Sequence, residues 1–162
     1  MKTSFCRLGL LFALVSLARA DVKLPAIFSD RMVLQRDAPV PVWGRAEPGE
    51  AITVTIAGQS GSATAGADGK WMVRLSPLKS GEPQTLTVKS NNTLTIQDVL
   101  IGEVWLGSGQ SNMAMTVNRA KDYKDEQATA TFPLLRQFRE ESASAATAQA
   151  EGKGRWVLCS PE

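Results

Sequence analysis

From residue 52 to residue 96 apolar and polar positions alternate. Ile52, Val54 and Ile56 interleave with Thr53 and Thr55, and Trp71, Val73 and Leu75 with Met72 and Arg74. Leu86 and Val88 interleave with Thr85 and Thr87, and Leu94 and Ile96 with Thr93 and Thr95. A period of two in β-branched and aromatic residues predicts strands with one buried face. Turn formers separate the runs: Glu47-Pro48-Gly49-Glu50, Gly66-Ala67-Asp68-Gly69, Ser80-Gly81-Glu82-Pro83 and Ser90-Asn91-Asn92. Asp68-Gly69 suits a tight hairpin, because glycine tolerates a positive φ. Two earlier strands are predicted over 32–35 and 40–43. Pro39 and Pro41 put the second at an edge, where a missing N–H is harmless. Short strands at this spacing predict an antiparallel β-sandwich, jelly-roll or immunoglobulin-like, over 21–98. Trp71 is in phase with Val73 and Leu75 and is read as core. Trp43 is read as a packing residue, with a sugar-stacking platform as the competing role.

After residue 98 the pattern changes. Val99-Leu100-Ile101 and Val104-Trp105-Leu106 make a nearly continuous apolar run, which suits a strand buried on both faces. It ends at a stretch rich in glycine and serine, 107–113. Residues 113–130 have helix-compatible composition with weak periodicity. A second strand is predicted over 134–139, a small, polar loop over 143–151 and a short apolar piece over 156–158. Strand, loop, helix, strand is the opening of an α/β domain. The division is therefore a sandwich over 21–98 and an incomplete α/β unit over 99–162.

The first twenty residues read as an address. Lys2 and Arg7 are basic, 8–17 is a short apolar run, and Ala18-Arg19-Ala20 offers small residues to a peptidase. This layout predicts a signal peptide cut between Ala20 and Asp21, and a secreted or periplasmic protein. The apolar run is shorter than the ~20 residues of a membrane span, so no membrane association is expected after cleavage.

That cut revises the charge. The chain carries 18 Lys and Arg against 16 Asp and Glu. Losing Lys2, Arg7 and Arg19 leaves 15 basic residues against 16 acidic, a net charge of −1. Nothing then points to nucleic acid, which calls for a clustered positive face. Cys6 leaves as well, so Cys159 stands alone and is read as buried and inert. Asn91-Asn92-Thr93 is a glycosylation sequon, relevant only in a glycosylating host. There is no histidine. An imidazole base and a His-ligated metal are excluded within these residues, and no ligand set for a metal, nucleotide or redox cofactor is expected.

Residues 107–113 hold the candidate chemistry. A dinucleotide fingerprint fails, because Asn112 stands where its last glycine belongs. A Walker loop fails for want of its lysine. The G-x-S-x-G elbow fails at Met113. What survives is a serine where a strand turns into a helix, with free N–H groups ahead of it for an oxyanion. The competing role is capping, by Ser111 or Asn112.

Gly109-Gln110-Ser111-Asn112-Met113, after Ile101-Gly102-Glu103-Val104-Trp105-Leu106, resembles the first motif block of sialate O-acetylesterases, serine esterases of the SGNH hydrolase superfamily. Leu24-Pro25-Ala26-Ile27-Phe28-Ser29-Asp30, Met32-Val33-Leu34-Gln35, Pro41-Val42-Trp43-Gly44 and Ala67-Asp68-Gly69-Lys70-Trp71 are similar to that family's N-terminal sandwich. The resemblance implies release of O-acetyl groups from sugars through an acyl-serine. Ser111 matches the nucleophile and one backbone oxyanion donor, while Gly109, Gln110 and Asn112 shape the turn. It also implies a late Asp-x-x-His block, which these 162 residues lack. The expectation is an N-terminal fragment, inactive by itself, with an O-acetylated sugar as the substrate class. The alternative is a non-catalytic sandwich, binding or packing, with a vestigial tail.

Overall fold

The computed structural model describes residues 21–113, 115–141, 144–149 and 151–161. The predicted signal peptide, 1–20, lies outside the described residues. The strands are β1 (Val33–Gln35), β2 (Val40–Arg45), β3 (Ala51–Ile56), β4 (Gln59–Thr64), β5 (Lys70–Leu75), β6 (Gln84–Lys89), β7 (Thr93–Gly102), β8 (Phe132–Glu140) and β9 (Gly154–Cys159). One α-helix is described, α1 (Tyr123–Thr129), after a 3₁₀ turn at Val117–Arg119.

A five-stranded sheet, β1-β7-β6-β3-β4, faces a two-stranded ribbon, β2-β5. Their inward side chains form one core that includes Val42, Ile52, Val54, Trp71, Leu86 and Val88. The period-two residues named from the sequence are these inward residues. The order is immunoglobulin-like, with β2-β5 opposite the β7-β6-β3 array. One pair departs from the antiparallel expectation: β1 runs parallel to β7, with Val33 opposite Leu100. Pro41 sits on an edge strand, as expected, since β2 pairs with β5 alone apart from an isolated bridge from Arg45 to Lys23.

The hairpin assigned to Asp68-Gly69 lies elsewhere. β3 and β4 are joined by Ala57-Gly58, both with positive φ (50° and 74°), and Ile56 faces Gln59 across the turn. Paired positive φ values fit a type I′ turn. β4 carries no strand signal because its sequence, Gln-Ser-Gly-Ser-Ala-Thr, is small and polar. Its inward face must be small: a Cβ on Gly61 would lie 2.7 Å from Val73 Cγ1. Asp68-Gly69 instead turns the chain from β4 towards the other sheet, closed by hydrogen bonds from Gly69 N to Gly66 O and from Gly66 N to Lys70 O.

The boundary near residue 98 also moves. Val99-Leu100-Ile101 does not open a new unit; it is the second half of β7 and all three residues are buried. Between Gln84 and Leu86 the β6–β7 register shifts by one residue: Leu86 faces Ile96, but Gln84 faces Val99. Asp98, with φ of 56°, sits at that bulge. The extra residue carries the inward phase from Ile96 to Val99.

Beyond Gly102 the α/β expectation is not realised among the described residues. Val104, Trp105 and Leu106 are exposed and unpaired, and β8 and β9 form an antiparallel ribbon of two strands instead of a parallel sheet. The helix predicted over 113–130 shrinks to α1, which buries no residue. An isolated short helix is marginal without an apolar face to bury, and this segment has none. Cys159 is half-buried, not buried, with its Sγ 3.8 Å from Ala130 O.

Candidate functional site

Gly109, Gln110, Ser111 and Asn112 are brought together on one exposed turn. Met113 N donates to Gln110 O at 2.9 Å, which closes the turn around Ser111 and Asn112. Met115 N donates to Asn112 O at 3.3 Å. The Met113 side chain folds back over the glycines: a Cβ on Gly109 would meet Met113 Cβ at 3.2 Å, and one on Gly107 would meet its Sδ at 3.4 Å. The glycines thus let the turn close on itself. The Ser111 hydroxyl and backbone N–H have no hydrogen-bond partner among the described residues, and the residue is exposed.

No helix starts at Ser111. The nearest turn of helix is the 3₁₀ segment at Val117–Arg119, so neither capping by Ser111 or Asn112 nor a dipole aimed at Ser111 is present. Chemically the turn offers a hydroxyl, a free N–H and room for a substrate to approach. It does not offer a base. Two shallow hollows lie on the sandwich, of about 410 and 330 Å³, lined by residues such as Glu47, Glu50 and Ser90 or Thr55, Gln59 and Thr85. Neither includes a residue of the Ser111 turn, and neither brings together groups with complementary chemistry. The tryptophans considered as sugar platforms are engaged in packing. Trp71 is buried, and Trp43 meets Phe28 edge-on at 4.6 Å.

What holds the turn is a neck that the sequence reading missed. The chain leaves the sandwich at Glu103, whose carboxylate accepts from Arg36 Nε at 2.7 Å and Gln35 Nε2 at 3.1 Å. Gln35 Oε1 in turn accepts from Val104 N at 2.9 Å. The Arg36 hydrogen bond, then the Gln35 one, holds the Glu103 carboxyl below its ordinary range. The chain returns at Arg136, whose guanidinium grips Asp98 with both ends, Nη1 to Oδ2 at 3.0 Å and Nη2 to Oδ1 at 3.1 Å. Nη1 also donates to Arg31 O at 3.1 Å, and Nε donates to Pro133 O at 2.9 Å. The Arg136 side chain is only 5% exposed. Trp156 completes the seat: Nε1 donates to Ile27 O at 2.8 Å, and its ring packs on the core and on Phe138. One signal for this neck was in the sequence, the phase break between Ile96 and Val99 that marks the bulge at Asp98.

No family model matches the chain. Among curated proteins, rat sialate O-acetylesterase is 40% identical over 124 residues, 66% of this chain and 22% of that protein. The human sialate O-acetylesterase is 44% identical over 109 residues, 59% of this chain and 20% of that protein. The chain therefore spans about a fifth of the length of the curated relatives it matches. Among solved structures, a carbohydrate acetylesterase from Xanthomonas citri superposes with a TM-score of 0.83 and 38% identity, over 87% of this chain and 33% of that one. The superposition takes in 87% of this chain, more than the part of it that ends at Gly102, so the structural likeness reaches past the sandwich into the segment that follows.

Proposed function

We propose that this homologue of the sialate O-acetylesterases is part of a carbohydrate O-acetylesterase of SGNH type, with Ser111 as its nucleophile. The observation that carries the reading is the likeness to acetylesterases at 38–44% identity, which in the structural superposition takes in 87% of this chain and so extends beyond the sandwich. In the reaction Ser111 Oγ adds to the acetyl carbonyl. A base takes the Oγ proton and passes it to the departing sugar oxygen, and water then hydrolyses the acetyl-serine. The free Ser111 N–H is one donor for the oxyanion. Gly109 keeps the approach open, and Gln110 and Asn112 shape the turn. The substrate class is an O-acetylated sugar.

The 162 residues contain no histidine, and no carboxylate is bonded to Ser111 among the described residues. A serine hydroxyl is a weak nucleophile without an adjacent base. The chain by itself is therefore not turnover-competent. The experiment compares the chain with a chimera in which it replaces the matched third of the Xanthomonas citri acetylesterase. Acetyl release from an acetylated sugar is the readout. The chimera is expected to hydrolyse it, and Ser111→Ala to lower kcat by at least about 10³-fold. An unchanged rate in Ser111→Ala would remove the nucleophile assignment. Robust Ser111-dependent hydrolysis by the chain alone would remove the claim of inactivity.

The proposal includes export, to a secreted or periplasmic location, with cleavage after Ala20. Its support lies just past the cut. Val22 is 1% exposed and its N–H donates to Asn92 Oδ1 at 2.9 Å, so the folded sandwich starts two residues beyond Ala20. N-terminal sequencing of the exported protein should begin at Asp21.

A further inference from the structure

The outward face of the five-stranded sheet is built from hydroxyls in register. On the side away from the core, Ser60, Thr55, Thr87 and Thr95 stand next to one another across β4, β3, β6 and β7. The neighbouring row is Ser62, Thr53, Lys89 and Thr93. Every member but Lys89 is a serine or threonine. In a chain that is 21% charged, two rows across four strands thus carry one charge. Strand propensity accounts for threonine on a solvent face but not for the missing charge. Edge strands are ordinarily guarded by charge or proline, and β4, which ends this sheet, has neither.

The hydroxyls are also free. Thr53 Oγ1 and Ser62 Oγ lie 3.2 Å apart, whereas those of Ser60, Thr55, Thr87 and Thr95 have no hydrogen-bond partner among the described residues. Ser60, Thr55 and Thr95 are exposed and Thr87 is half-buried. Each hydroxyl both donates and accepts. Strands lie about 4.8 Å apart, so the row is a ladder of such groups about 14 Å long. Beside it opens a shallow hollow of about 330 Å³ with Thr55, Ser60 and Thr85 in its wall.

This composition selects the partner. The rows hold no aromatic or aliphatic anchor of the kind that seats a protein or a lipid surface. One cation is too little for a polyanion. A neutral chain laid on the face would leave almost no charge to desolvate, and a ligand that is itself rich in hydroxyls returns the hydrogen bonds lost to water. The threonine methyls can meet the C–H groups of a sugar ring. We propose that the outward face of β4-β3-β6-β7 binds an uncharged polysaccharide chain along the row Ser60-Thr55-Thr87-Thr95. The surface holds the protein on polymer and does not rest on the assignment of Ser111, which lies outside the rows.

Affinity electrophoresis tests this. The chain is run in native gels containing soluble O-acetylated glucomannan, the same polymer after alkaline deacetylation, arabinoxylan or polygalacturonate, with an inert protein as mobility standard. The neutral polymers are expected to retard it. Thr55→Val with Thr87→Val and Thr95→Val keeps the branched shape, removes three hydroxyls and should raise the apparent Kd at least about 10-fold. Thr55→Lys with Thr87→Glu, whose new charges pair across β3 and β6, should abolish retardation by a second route. Met72→Ala, exposed on β5, should leave it unchanged. Circular dichroism checks that each variant is folded. No retardation by any neutral polymer overturns the proposal, as does equal retardation of the wild type and both row variants. Retardation by polygalacturonate alone overturns it as well, and assigns the face to an anion through Lys89. A dimer that the triple variant breaks and the neutral polymers do not compete with assigns the face to a second copy and also overturns it. The readout is binding and not acetyl release, so a failure here leaves the esterase reading untouched, and an inactive chimera leaves this surface standing.

Discussion

Replacing Arg136 with alanine should free the β8-β9 ribbon and leave the sandwich intact. Removing one partner of a buried ion pair costs about 3–5 kcal/mol when the other charge is left buried. Here the two partners differ in exposure, 5% for the Arg136 side chain against 41% for Asp98. Water can reach the abandoned carboxylate, so the full penalty does not apply. What is lost is the fork to Asp98 and the donations to Arg31 O and Pro133 O; with Asp98 and the freed carbonyls open to water, the net loss is about 2 kcal/mol in total. The buried core lies between Val22 and Ile101, and among the described residues the ribbon touches it only through the partly buried Trp156, so the loss is local. Two kcal/mol corresponds to about a 30-fold change in an opening equilibrium. Amide exchange in β8 and β9 should accelerate by that factor, while β3 and β6 stay as they were. Arg136→Lys keeps the charge but loses the fork that matches a carboxylate, so it should recover only part of the protection. Equal acceleration in β3 and β6, or none in β8 and β9, would refute the assignment of Arg136 as a local clasp.

The remaining predictions concern the sheet contact and the outgoing side of the neck. Gly61→Val places a branched side chain where a Cβ already meets Val73 Cγ1 at 2.7 Å; overpacking of this kind costs about 1–3 kcal/mol and should lower the urea midpoint with little change in slope. Glu103 titrates below its ordinary range because of Arg36 and then Gln35, so the folded form binds fewer protons than the unfolded one. Its contribution is present above the ordinary glutamate pKa and is lost as pH falls through the depressed value; Glu103→Gln should therefore flatten the acid limb of amide protection at 103–106, read by exchange at a series of pH values.

The sandwich was legible because its strands are amphipathic on their own account. Ile52, Val54, Trp71, Val73, Leu86 and Val88 announce one inward face each, and all are buried. β4 was not legible, because its function in packing is to be small beneath Val73 and Leu75. The hairpin fell to Ala57-Gly58 and not to Asp68-Gly69 because the backbone, not the dipeptide preference, decides: an alanine at φ 50° is tolerated where the register demands it. The turn at Ser111 was legible as a glycine-flanked loop, and its four motif residues do share one turn. Its mounting was not. Arg136 and Asp98 are 38 residues apart, and nothing local in either sequence marks the other. Only the phase break from Ile96 to Val99 pointed to a special position, and it gave no partner.

The failure beyond Gly102 has a different cause. A strand buried on both faces is a statement about neighbours, because its apolar run is favourable only when layers cover it. Val99-Leu100-Ile101 and Val104-Trp105-Leu106 look alike in sequence, yet the first triplet is buried and the second stands exposed. The difference is that Leu100 and Ile101 pair with Val33 and Leu34, and Val99 faces Gln84, whereas 104–106 has no strand beside it. The same holds for the weakly periodic 113–130 stretch, which keeps helix only at Tyr123–Thr129. Helix and strand in this half of the chain are conditional on contact, so the sequence signal for them is a signal for a partner surface. On that argument, Val104 to Leu106 and the helix-compatible stretch should gain structure together when Trp105 is covered, and circular dichroism of the chimera should exceed the sum of its parts in helix content.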